Sequence, residues 1–271
     1  MKEDTAINFL LYSYFELTLE SKEDEIIKAA IRRAYRDASS RVLIYPEDVE
    51  PNERYNRYDK AEEYIEKSIR EIKNDEKNYD YWFYNTCDKL KNKMNDGEDY
   101  FKFGHAQKWI NMTMKYLYVI KSIFIKYGVY VDIFQTLLSD ELEKKLHVPI
   151  DSYILESISA KGSEVTVKGE KVKLKRNLEQ TTLEIPQKTK ENEIKLGTYS
   201  NSKCWSKWEK EDYEAVITNN ERGQKSLNEV LNGILDGNSA DQTPLDWEGA
   251  AWIEIAKIRK EREGKKNKNE M

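Results

Sequence analysis

Apolar residues recur at intervals of three and four along most of this chain, the spacing that aligns one face of an α-helix. Between Lys22 and Ala38, the set Ile26, Ile27, Ala30, Ile31, Ala34 and Ala38 makes one such face. YDKAEEYIEKSIREIK, residues 58–73, repeats it with Ala61, Tyr64, Ile65, Ile69 and Ile72. A third helix is predicted from Tyr81 to Met94, ended by the turn Asn95-Asp96-Gly97. The longest runs from about Gly104 to Tyr127 and stops at Gly128. LSDELEKKL, residues 138–146, reads as a short helix with Ser139 as N-cap and Glu143 close to a capping-box position. In HVPIDSYILESISA, Pro149 fits a helix start, and Ile150, Tyr153, Ile154 and Ile158 form a core face.

The texture then changes. SEVTVKGEKVKLKR, residues 163–176, alternates apolar and polar positions around Lys168-Gly169-Glu170, the pattern of a β-hairpin. Residues 177–203 are polar and aperiodic, a loop or extended flap. Helical periodicity returns in 207–221 and in PLDWEGAAWIEIAKIRKER, 244–262, before a charged tail, EGKKNKNEM, that is expected to fray. The expectation is a mainly α protein with a small β-hairpin insertion. It would form a single unit over 1–271, two lobes around a cleft, with the hairpin and loop inserted at 161–203.

Composition narrows the function classes. No stretch approaches the roughly 18 apolar residues of a membrane span. The start, MKEDTAINFLLYSYFEL, has acids beside its apolar stretch and no small-residue cleavage signal, so a secretory leader is not expected. Cys87 and Cys204 are isolated and lack metal-ligand spacing, which fits a reducing cytoplasm and a protein without metal or cofactor. A net charge of −5 argues against coating nucleic acid by bulk charge but leaves room for a local basic surface.

The candidate chemistry lies in FGHAQKWINMTMKYL, residues 103–117. Lys108 sits in the first turns of the longest helix, with Lys115 seven residues on and on the same side. For an arbitrary lysine on an amphipathic helix, solvent is the ordinary place. Two features favour a held lysine instead. The helix follows DGEDYFKFG, with Gly97 and Gly104 at its two ends, and a glycine at a helix start lets backbone amides approach an anion. Downstream, HVPID puts Asp151 at another helix start, where the helix dipole alone would also favour it.

A helix opening with a lysine, a second lysine seven residues on, then a helix opening with proline, an aliphatic residue and aspartate, resembles the helix-hairpin-helix DNA glycosylases. The resemblance is closest to the archaeal 8-oxoguanine glycosylases and covers about residues 95–160. It implies that Lys108 is the attacking amine and Asp151 the essential carboxylate, acting on double-stranded DNA with a modified base. Such enzymes extrude the base into a pocket, and a fixed carboxylate stabilises the positive charge that develops on the sugar. A lysine attacking the sugar leaves a Schiff base and permits strand cleavage, whereas water activated by Asp151 leaves an abasic site. The Lys108–Asp151 interval is longer than that family shows, and its Leu-Pro-Gly-Val-Gly hairpin is absent.

Other residues carry two readings. Gln107, Met112, Glu248 and Trp252 would line a base pocket, or be surface or core residues. Lys102, Gly104, His105 and Lys115 would meet the DNA backbone. Trp205 and Trp208 would be core or pocket wall. Lys121 and Lys126 add basic charge to the long helix. In the hairpin, Lys171, Lys173 and Lys175 share one strand face, either gripping phosphates beside Arg176 or keeping an edge strand soluble. The functions left open are three: a defence glycosylase acting on hypermodified phage cytosine such as the glucosylated hydroxymethyl form, an 8-oxoguanine repair enzyme, and a non-catalytic helical partner protein in defence or toxin–antitoxin pairing. A monomer is expected.

Overall fold

The computed structural model describes residues 3–39, 43, 45–47, 49–72, 78–132, 134, 138–158, 164–167, 170–173, 185–186, 196–197, 203–217, 227 and 243–269. The chain divides into two compact units, Met1–Pro149 and Ile150–Met271. The expected mainly α class holds. Among the described residues, no helix is long and apolar enough to cross a membrane.

The first unit contains α1 (Glu3–Phe15), α2 (Glu23–Ser39), α3 (Pro51–Ile72), α4 (Tyr79–Asn95), α5 (Phe103–Lys126) and the single turn α6 (Asp140–Glu143). Helix α5 packs against α2 and α4, and α3 against α2 and α4. On α2 the predicted face is the buried one, all six of its apolar residues included. Helix α3 starts earlier than its apolar pattern does. Pro51 supplies the start, since its missing N–H would be unpaired there in any case.

Two turns are set by local chemistry. Asp96 and Gly97 take left-handed backbone at φ 45° and 92°, and the Asp96 N–H returns to Asn92 O at 3.1 Å, closing α4. Asn95 is its last helical residue. Its side chain accepts from Phe101 N at 2.7 Å and donates to Phe101 O at 2.9 Å, so the chain entering α5 is fixed from both sides. Ser139 caps α6 as expected, accepting from Leu142 N. Glu143 instead pairs with Lys121 Nζ at 2.6 Å, which also donates to Leu138 O. Lys121, expected among the basic residues for DNA, thus ties α6 to α5.

Helix α1 was not legible in the sequence. Leu11 and Phe15 are buried while Phe9, Leu10, Tyr12 and Tyr14 are exposed, so apolar residues surround the helix and no single face stands out. It is held through Tyr14, whose hydroxyl meets that of Tyr116 at 3.2 Å and whose ring lies under Arg33. Tyr116 in turn donates to Asp37 of α2.

In the second unit, α7 (Ser152–Ile158) packs against α9 (Pro244–Asn269), and α8 (Lys210–Ile217) follows the turn Trp205–Lys207. Helix α7 begins at Ser152, three residues after Pro149, because Asp151 is its cap: Oδ1 accepts from Tyr153 N and Ile154 N at 2.9 and 3.0 Å. Arg259 of α9 fastens the pair through Glu156 at 2.9 Å and Ser152 O at 2.9 Å, with its guanidinium over the Tyr153 ring. Helix α9 continues into the tail expected to fray, as far as Asn269. The backbone at 164–167 and 170–173 runs antiparallel, with Glu164 opposite Lys173 and Val167 opposite Glu170. Lys175 and Arg176 lie outside the described residues.

Candidate functional site

Helical geometry places Gly104, Gln107, Lys108, Asn111 and Lys115 within an arc of about 100° on α5. Trp109, Thr113, Leu117 and Ile120 lie on the opposite arc. An amphipathic helix would turn the first set to water. Here Gln107 and Asn111 are fully buried and Lys108 is 5% exposed. Lys115, a turn further on, is half-buried. A lysine so enclosed is uncommon among folded chains unless its amine has partners. Lys108 is not the solvated charge that a helix lysine usually is.

The polar face is ordered by its own hydrogen bonds. Asn111 Nδ2 donates to Gln107 Oε1 at 3.2 Å and to Val148 O at 3.4 Å. Val148 belongs to a buried run, Leu146 to Pro149, just before Asp151 in the chain. Next to it, His147 Nε2 meets Asp80 Oδ1 at 2.7 Å, and its ring packs edge-on against Tyr79 and Phe83. The hydrogen bond to His147 holds the Asp80 carboxyl below the usual carboxylate range. Asn111 has a larger part in this face than its sequence suggested. The signal was present: Asn111 stands at the i+3 position from Lys108 and i+4 from Gln107, on the same side of the helix.

Of the residues expected at a DNA backbone, Gly104 and His105 are buried. His105 Nδ1 accepts from Lys102 N at 3.1 Å, a capping contact at the start of α5, and its ring lies 5.3 Å from that of Phe101. Lys102 reaches back to Asp99 at 2.5 Å. Met112 is buried.

Asp151 lies in the second unit, so the two residues expected to be catalytic belong to different units. Beside it, Tyr153 stacks on Trp252 at 4.8 Å with the planes 24° apart. Trp252 is 38% exposed, and Glu248, one turn before it on α9, is fully buried. Trp205 and Trp208 are buried near the start of α8, and Trp208 Nε1 donates to Lys203 O at 3.1 Å. Among the described residues, no group of three His, Cys, Asp or Glu side chains is placed to hold a metal ion. No known protein family matches this chain, and no curated protein or solved structure shows significant similarity to it.

Proposed function

We propose that the chain is a DNA N-glycosylase that flips out and excises a modified base, with Lys108 as nucleophile and Asp151 as the carboxylate that stabilises charge on the sugar. The observation that carries this reading is the buried polar face of α5. An enclosed amine, ordered amides beside it and little contact with bulk water are what nucleophilic catalysis on a sugar requires. Within the first unit, the hydrogen bond from Asn111 to Val148 O keeps that polar face ordered around the lysine.

In the proposed step the Lys108 amine attacks the anomeric carbon, the bond to the base nitrogen breaks, and the base leaves with the electron pair and takes up a proton. Ring opening gives the Schiff base, from which elimination releases the 3′ phosphate. Borohydride reduction on DNA carrying an abasic site is expected to trap a covalent adduct with the wild type and none with Lys108→Gln. Base release measured on unmodified, oxidised and modified-cytosine phage DNA identifies the substrate, hypermodified cytosine and 8-oxoguanine being the two classes expected. Base release that persists in Lys108→Gln but stops in Asp151→Asn assigns the hydrolytic route. Absence of both adduct and base release on every substrate sinks the glycosylase reading.

That last result would favour a second reading, a non-catalytic helical interaction module. Its support is α1, where Phe9, Leu10 and Tyr12 are each 60% exposed or more.

A further inference from the structure

Away from the Lys108 face, the first unit holds a cavity of about 680 Å3 lined by residues of α1, α2, α3 and the α2–α3 connection. Its size suits one small ligand rather than a duplex. Tyr35 and Tyr58, whose rings are 4.6 Å apart, are among its lining residues, and both pack on buried Trp109. Tyr55, one turn before Tyr58, also lines it and is 68% exposed.

Three guanidinium groups line the same cavity, and two are fixed by their Nε atoms. Arg32 Nε donates to Glu62 at 3.0 Å, and Arg54 Nε to Val49 O at 2.8 Å with its guanidinium 5.1 Å from the Tyr45 ring. An arginine anchored at Nε presents its two terminal amino groups, the edge that can bond a phosphate. Arg36 is the third, 52% exposed and 3.8 Å from Glu16, which is 70% exposed. Lys28, Glu25 and Asp59 also line the cavity, so its acids and bases balance and it is no general trap for anions.

We infer that this cavity binds a nucleotide, its base against the tyrosines and its phosphate on Arg36 and Arg54. Aromatic faces take any base, and arginine beside them adds both stacking and charge. Because the acids offset the bases, phosphate alone gains little and both halves of the ligand are needed. The nucleotide is either free or the unstacked unit of a single strand. This inference is independent of the Lys108 chemistry.

Calorimetric titration of the full chain with mononucleotides, a thymidine oligonucleotide, nucleoside and inorganic phosphate tests it. Saturable binding stronger than about 1 mM is expected for the mononucleotides, the oligonucleotide or both, and the arm that binds names the source. Tyr55→Ala and Arg36→Gln, both at exposed side chains, should each weaken binding about tenfold without moving the unfolding temperature, since stacking or a charged contact of this kind is worth that much. Lys108→Gln should bind as the wild type does. No binding by any nucleotide, unchanged binding in both variants, or phosphate alone binding as tightly would each overturn the inference.

Discussion

Arg57→Met is expected to destabilise the first unit by about 3 kcal/mol and to lower its unfolding temperature by roughly 10 °C. Arg57 is 4% exposed, and its Nη1 donates to Met94 O and Asn95 O at 3.2 and 3.0 Å, the last carbonyls of α4. Those carbonyls have no partner within their own helix, and a cation there also meets the negative end of the helix dipole. The same guanidinium reaches Glu53 and Glu98, so one side chain joins α3, the end of α4 and the chain leading to α5. Glu53 and Glu98 are 45% and 33% exposed and can turn to water once the arginine is gone. Met94 O keeps the Tyr100 hydroxyl and Asn95 O keeps Glu98 N at 2.9 Å, so the cost comes from the lost charge-assisted bonds and the helix-end cation rather than from orphaned carbonyls. Urea unfolding followed by circular dichroism measures it, and a loss below about 1 kcal/mol would mean that water replaces the guanidinium. Arg57→Lys should recover little, because an ammonium cannot span two carbonyls and two carboxylates in one plane.

A larger loss, about 3–5 kcal/mol, is expected for Trp109→Ala. Trp109 is fully buried at the α2–α5 contact, its Nε1 donates to Ile31 O at 3.0 Å, and its ring lies parallel to that of Tyr58 at 5.8 Å. Truncation leaves a cavity where α2, α3 and α5 meet and removes the support behind Tyr35 and Tyr58. Trp109→Phe keeps the ring and loses the N–H, which limits the cost to about 1–2 kcal/mol. Equal losses in the two variants would show that the hydrogen bond, and not the packed volume, dominates at this site.

Periodicity exposed much of the helical frame because helices with one wet face advertise it. The face of α2, the stop of α5 at Gly128 and the Ser139 cap were all readable. The rest depended on what lies around a helix, which its own sequence does not specify. Helix α1 has apolar residues on every side, and the burial of Leu11 and Phe15 is decided by other segments. The first half of α5 is enclosed on its polar face as well, so the pattern that places Lys108 in water misleads there. Asp151 could be placed at a helix start, but its capping contacts required the start to fall at Ser152. The tyrosine-lined cavity drew on residues from 15 to 62 with no motif among them, and Arg57 found its main acceptors at the far end of α4.

Cys87 is fully buried on α4, whereas Cys204 is exposed in the second unit. The difference gives the native chain a built-in clock. A thiol reagent added to the folded protein reaches Cys204 at once, while Cys87 reacts only as often as the core around α4 opens. The delay between the two modifications, read by mass spectrometry, times that opening without a probe being introduced. It should shorten in Arg57→Met and Trp109→Ala.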